Sequence, residues 1–202
     1  MEIIVATTNP GKLKEISEML DFDVDWKSLA DFSHTKEVEE DGETFVENAR
    51  KKALGYAEQT GLWTLADDSG LVIDALDGAP GVKSARFSGE NEKSKTFLDH
   101  KNMAKVLTLL KDVPDEKRTA RFVCCLCLAS PDKILLETQG KIEGMIIHEE
   151  KGSKGFGYDP IFFIPQLKKT VAQLESEEKN KISHRGQAVR NLKPLLYKLL
   201  KK

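Results

Sequence analysis

Two adjacent carboxylates, Asp67 and Asp68, stand in the run Ala66-Asp67-Asp68-Ser69-Gly70, between apolar residues 62–66 and 71–73. A carboxylate so placed can orient a water molecule and take its proton, or help to hold a hard divalent cation. Side chains alternate along an extended chain, so the pair is expected to point to opposite faces. One would then reach into a site while the other ties down the backbone. Gly70 admits a tight turn or the close approach of a ligand. The plainer alternative is an Asx-type turn between two strands, with both carboxylates spent on main-chain N–H groups.

Four other stretches carry groups that could act with this pair. In Thr8-Asn9-Pro10-Gly11-Lys12, Asn9 suits an N-cap and Pro10 a first helical position. Such a helix start offers free N–H groups to an anion, and Lys12 adds a charge. The glycine spacing of a P-loop is absent. Glu37-Val38-Glu39-Glu40-Asp41-Gly42-Glu43 packs five carboxylates into seven positions. Either this is a solvated acidic loop, or one or two of its members meet Asp68 around a cation such as Mg²⁺. Gly152-Ser153-Lys154-Gly155-Phe156-Gly157-Tyr158-Asp159-Pro160 is a glycine-rich loop with two aromatics. Phe156 is expected either to stack on a planar ligand or to be buried in a hairpin connection. Ser183-His184-Arg185 places a donor-only guanidinium at the start of the last helix.

The elements that must position these groups are read from periodicity. Residues 2–7 form a short apolar strand, and Leu13, Ile16, Met19 and Leu20 follow at helical spacing. Residues 23–29 suggest a second strand. Thr44-Phe45-Val46-Glu47 is a capping box. It opens a helix with Phe45, Ala49, Ala53 and Ala57 on its buried stripe and Asn48 and Lys52 on another face. Arg50 and Lys51 should face solvent. Two strands, 62–66 and 71–73, flank Asp68. A turn follows at Gly78-Ala79-Pro80-Gly81.

Residues 92–111 read as a helix with Phe97, Met103, Ala104, Val106, Leu107 and Leu110 in the core. Strands are expected at 119–129, 134–147 and 161–164, with Gly140 and Gly144 at bulges or bends. Residues 170–174 suggest a short helix and 177–182 a polar connection. Ser183 is placed to cap a closing helix whose stripe runs through Ala188, Val189, Leu192, Leu195, Leu196, Leu199 and Leu200. Pro194 should kink it, or its turn is local.

Bulk properties exclude several classes. The 202 residues carry a formal charge of -2, from 31 basic and 33 acidic side chains, so neither nucleic acid nor an anionic membrane is called for. The N-terminus has no signal-peptide pattern and no stretch is long enough to span a bilayer. Cys124, Cys125 and Cys127 crowd into one strand without zinc or disulfide spacing, which fits reduced thiols in a cytoplasmic protein. The four histidines lack zinc-ligand spacing, and Ser69 lacks a nucleophile elbow. The chain reads as one domain, 1–202.

Six motifs together resemble the inosine triphosphate pyrophosphatase family, the XTP/dITP diphosphatases. They are Ala6-Thr7-Thr8-Asn9-Pro10-Gly11-Lys12, Thr44-Phe45-x-Glu47-Asn48-Ala49, Ala66-Asp67-Asp68-Ser69-Gly70-Leu71, Gly78-x-Pro80-Gly81-x-x-Ser84-Ala85-Arg86, Gly155-Phe156-Gly157-Tyr158-Asp159-Pro160 and Ser183-His184-Arg185. They occur in order and span nearly the whole chain. Ser153-Lys154 departs from a more glycine-rich family pattern and is expected to alter only loop flexibility.

The resemblance implies an α/β fold of two lobes around a long central mixed β-sheet with flanking helices, and an active site in the inter-lobe cleft. It implies a homodimer, a Mg²⁺ cofactor, and hydrolysis of ITP, dITP and XTP to the nucleoside monophosphate and pyrophosphate. Carried over by position, Thr7, Thr8, Asn9, Pro10, Gly11 and Lys12 would form the phosphate loop. Glu39 and Asp68 would hold the metal, with Glu40 as the alternative to Glu39, and Asp68 would be the general base. Ser69 would touch substrate, and Lys52 and Lys179 would bind phosphates. Phe156, Gly157, Tyr158 and Asp159, with His184 and Arg185, would form the base pocket. A non-catalytic nucleotide sensor could dispense with the water-activating acid, and a general triphosphatase would release orthophosphate.

Overall fold

The computed structural model describes residues 1–8, 10–90 and 94–201, and of residues 10–12 and 15 the backbone alone. The expected roles of Asn9 as N-cap and phosphate ligand, the side chains of Pro10, Gly11 and Lys12, and a helix start at Glu92 therefore lie outside the described residues. The strands are β1 (Glu2–Val5), β2 (Asp25–Ser28), β3 (Trp63–Ile73), β4 (Thr119–Ser130), β5 (Lys133–Ile146), β6 (Phe162–Ile164) and β7 (Lys169–Thr170). The helices are α1 (Pro10–Leu20), α2 (Phe45–Thr60), α3 (Lys95–Leu109), α4 (Ser176–Ile182) and α5 (His184–Leu200). The strands form one sheet in the order β2-β1-β3-β4-β5-β6-β7. It is mixed: β1 runs parallel to β2 and β3, whereas β6 is antiparallel to β5 and β7. The fold is α/β.

The chain divides into two compact units. The first comprises Met1–Asp68, Cys124–Gly140 and His184–Lys202; the second comprises Ser69–Val123 and Lys141–Ser183. In the first unit, β1 is apolar because it is covered on both faces, with Ile3 and Ile4 fully buried. Ile3, Val5, Ile16, Leu20, Leu65 and Leu192 belong to its core, and α1 lies against β2 and α5. The capping box of α2 forms as its sequence dictates: Glu47 N–H donates to Thr44 Oγ1 (3.2 Å) and Thr44 N–H to Glu47 Oε2 (3.1 Å). The helix ends at Gly61, with φ of 72°.

The second unit has its own core, which includes Leu71, Ile73, Met103, Val106, Phe122 and Phe162. Arg118 is buried in it with 1% of its surface exposed. Its guanidinium donates to three main-chain carbonyls: Ile146 (2.7 Å), Leu110 (2.6 Å) and Ile147 (3.2 Å). An arginine can sit inside because its donors are spent on backbone acceptors at the end of α3 and of β5.

Several expectations are corrected. Asp67 and Asp68 do not stand at a turn between two strands, because β3 runs unbroken through them. Further along the same strand, Leu71 N–H donates to the Ser84 hydroxyl (2.9 Å). Gly140 and Gly144 both lie inside the single strand β5, where each permits a close approach. A Cβ on Gly140 would come within 2.2 Å of the His184 carbonyl, and one on Gly144 within 2.5 Å of the Phe162 ring. In α3, Phe97 is 43% exposed and Ala104 is also exposed. Asn102, Met103 and Val106 form the buried side, three and four residues apart. The polar stretch 177–182 belongs to α4, whose capping box is Glu175 with Glu178. Ser183, directly before α5, is also the C-cap of α4, its N–H donating to Lys179 O (2.8 Å). Pro194 is accommodated within α5, and Leu195 is 37% exposed.

Candidate functional site

In the first unit, three of the singled-out acids, Glu40, Asp67 and Asp68, converge on Lys52, on α2. Its Nζ donates to the Asp67 carbonyl (3.0 Å) and pairs with Glu40 Oε1 (3.3 Å). Burial pulls the Lys52 pKa down, but the fields of Asp67, Glu40 and Asp68 together outweigh it and hold the pKa above its ordinary value. The ammonium is therefore charged at neutral pH. Its stabilising contribution is present below the unfolded pKa and is lost only as pH rises through the raised one.

The acidic loop reaches this point because Asn48, buried on α2, accepts the Gly42 N–H (2.8 Å). Asp41 pairs with Lys51, and the field of Glu39, which is exposed, also falls on Lys51. Thus Glu40 is the acid beside Lys52, while Glu39 lies nearer the exposed lysine.

The two aspartates differ as alternation requires. Asp67 is 3% exposed, and its Oδ2 lies 3.4 Å from Arg185 Nη2, itself on a residue only 7% exposed. Asp68 is half-buried, with Oδ2 shielded from solvent. Its field is also felt by the Cys125 thiol, which burial, then Asp68 and Glu137, push up to about 11. Cys127 is pushed up to about 12 by burial first. Both thiols are protonated and inert at neutral pH. Thr7 is half-buried; its carbonyl accepts Leu29 N–H (3.0 Å) at the end of β2.

Hard oxygen donors at Glu40 and Asp68 beside one lysine suit a small divalent cation, since two carboxylates leave coordination positions for water and phosphate oxygens. Among the described residues no group of three or more His, Cys, Asp or Glu side chains is arranged to hold a metal ion.

In the second unit the glycine-aromatic loop is built to present one ring. Phe156 is 51% exposed, whereas Tyr158 is buried and its hydroxyl donates to Ser84 O (2.8 Å). The buried Asp159 carboxylate accepts Phe156 N–H (3.0 Å) and pairs with Lys179 Nζ (2.6 Å). Gly155 has φ of 81°, and a Cβ there would strike Asp159 Oδ2 at 2.1 Å, so only glycine fits. Lys179 and Lys95 each lie 4.7 Å from the centre of the Phe156 ring. Lys154 is fixed by its N–H to Ala172 O (3.0 Å) and by an ion pair to Glu175.

The structure thus gathers Glu40, Lys52, Asp67, Asp68 and Arg185 in one unit, and Phe156, Tyr158, Asp159 and Lys179 in the other. Lys95 and Asp99 were missed by the sequence reading. They stand four apart on α3, and Gly157 N–H donates to Asp99 Oδ2 (2.9 Å). Only their spacing on a predicted helix could have suggested a shared target.

A model of the Ham1 family matches residues 3–195. A dITP/XTP pyrophosphatase of Desulforamulus reducens is 49% identical over 202 residues, covering 98% of this chain and 97% of the relative. One of Bacillus subtilis is 48% identical over 198 residues, with 96% of each chain covered. Among solved structures, a HAM1 protein from Coxiella burnetii superposes with a TM-score of 0.89 at 44% identity, covering 98% of this chain and 99% of the other. The chain belongs to the Ham1 family.

Proposed function

We propose that the protein hydrolyses the non-canonical purine triphosphates ITP, dITP and XTP to the nucleoside monophosphate and pyrophosphate, and so cleanses the nucleotide pool. The observation that carries the reading is the cluster in which Lys52 bridges Glu40 (3.3 Å) and the Asp67 carbonyl (3.0 Å) beside Asp68. Full-length identity near 50% to relatives named for dITP and XTP adds to it.

Each residue has a role in this reading. Asp68 orients the attacking water and takes its proton as the α–β phosphoanhydride bond breaks. Asp68 and Glu39, with Glu40 as the alternative to Glu39, would hold Mg²⁺, which when bound supplies charge stabilisation to the phosphate oxygens. Lys52 binds the polyphosphate, as does Lys12 from the loop that begins at Thr7 and Thr8. Lys179 would leave Asp159 to reach a phosphate or would stay as a scaffold for the base loop; its 2.6 Å pair supports the second role. Ser69 follows Asp68 directly and would contact substrate.

Phe156 stacks on the purine, with Gly157, Tyr158 and Asp159 shaping its surroundings. His184 and Arg185 read the six-carbonyl: Arg185 has only donors, which suits hypoxanthine and xanthine and rejects the amino group of adenine. We place the protein in the cytoplasm as a homodimer, a state that sedimentation at working concentration tests.

The decisive experiment is a product assay with Mg²⁺ over purified ITP, dITP, XTP, ATP and GTP. Pyrophosphate from the first three substrates is the expected outcome. Release of orthophosphate, or equal turnover of ATP, would overturn the reading.

A further inference from the structure

We infer that Asp99 is a positioning residue for nucleobase recognition, acting through the Gly157 peptide to aim the Phe156 ring; this rests on the reading that the 155–159 loop receives the purine. Phe156 is half exposed, so packing does not fix its ring. Its direction depends on the backbone on either side. That backbone is inherently loose, since Gly155 and Gly157 both lie in the left-handed region, at φ of 81° and 62°.

Two carboxylates remove the freedom. Asp159 accepts the N–H of Phe156 (3.0 Å) from within the loop. Asp99 accepts the next N–H, that of Gly157 (2.9 Å), from α3. The peptide that follows the ring is thus held from outside the loop. Lys95, one turn earlier on the same helix, lies 4.7 Å from the ring centre. One face of α3 therefore addresses both the ring and the backbone that carries it. Within the loop the Phe156 carbonyl also accepts Asp159 N–H, at a longer 3.3 Å, while the Tyr158 hydroxyl bond to Ser84 O lies beyond Gly157. A carboxylate accepting a main-chain N–H makes a strong bond, and its loss should cost about tenfold in affinity for anything the ring must meet squarely.

The test compares the parent, Asp99→Ala and Asp99→Asn in Mg²⁺ buffer. Binding of inosine monophosphate and of pyrophosphate is measured by calorimetry, and ITP kinetics alongside. In Asp99→Ala, inosine monophosphate should bind about tenfold more weakly and pyrophosphate within about twofold of the parent, while KM for ITP rises and kcat changes by less than about threefold. Asp99→Asn keeps an acceptor oxygen and should return within about threefold of the parent. Should Asp99→Ala not fold, Asp99→Ser takes its place in the same comparison.

Unchanged inosine monophosphate binding in the truncated variant would overturn the role of Asp99. So would a parallel loss of pyrophosphate, or an asparagine variant as weak as the alanine one. A parent protein that binds adenosine monophosphate as tightly as inosine monophosphate would instead overturn the reading beneath, and this inference with it.

Discussion

The two units use carboxylates in opposite ways. Around Lys52, Glu40, Asp67 and Asp68 act through their fields, three acids on one ammonium, and the local balance is left negative. In the 155–159 loop, Asp159 and Asp99 act through position, each accepting a main-chain N–H. The first arrangement is built to attract and hold charge; the second is built to hold still a ring that carries none. A field falls off gently with distance, whereas a hydrogen bond weakens steeply with angle and length. The first cluster should therefore tolerate small displacements and not loss of charge. At Asp99 the second should tolerate loss of charge and not loss of an acceptor.

Charge removal at Asp68 breaks this contrast most severely. Asp68→Asn keeps the shape but should lower kcat on ITP by about 10²–10⁴, with the fold intact by circular dichroism, and chelation of divalent cations should abolish the parent's activity. Near-normal turnover of the folded variant would remove Asp68 from the chemistry.

Arg185→Ala comes next. If the guanidinium reads the six-carbonyl, the ratio of kcat/KM for ITP over ATP should fall about ten- to a hundredfold. If its pair with Asp67 is its whole role, both substrates should fall together and the melting temperature should drop, because a buried carboxylate is left behind.

Lys52→Gln should weaken ITP binding by about tenfold while leaving inosine binding within about twofold, as titration of both ligands would show. Since the carboxylates hold the Lys52 pKa above its ordinary value, parent activity should show no loss from this lysine as pH rises from 7 to about 10, its ammonium being lost only above that.

The smallest effect is expected at the thiols. Cys124, Cys125 and Cys127 replaced together by Ala or Val should leave kcat/KM within about threefold, any cost appearing in the thermal midpoint. A folded but inactive triple variant would give one of them a role in the site.

The fold class and the sheet's mixed character came only with the family resemblance, whereas the individual elements and the capping box at Thr44 were legible because they rest on local periodicity and short-range bonds. The continuity of β3 through Asp67 and Asp68 was not, since adjacent carboxylates read locally as a turn; burial of Asp67 against Arg185, 118 residues away, overrides that tendency. Phe97 was misplaced because an aromatic residue on a helix reads as core, whereas here the buried side runs through Asn102, Met103 and Val106. Asp99 was invisible for the same reason that it is useful: its partner is a backbone N–H 58 residues away, and a backbone group leaves no trace in composition. Glu39 and Glu40 could not be told apart by spacing alone. In the structure Glu40 pairs with Lys52, whereas Glu39 is exposed.

The chain passes between the units four times, at 68/69, 123/124, 140/141 and 183/184. Three of these passages lie within β3, β4 and β5, and the fourth lies between α4 and α5. No single contiguous stretch of the gene therefore encodes either unit. A truncation that spares one of them does not exist, nor does a simple fusion that borrows one. Two passages also fall within candidate site motifs, between Asp68 and Ser69 and between Ser183 and His184. Protein engineers who wish to exchange the 155–159 loop must graft segments, not modules, because its anchors come from Asp99 on α3, from Ser84 and from Lys179 on α4.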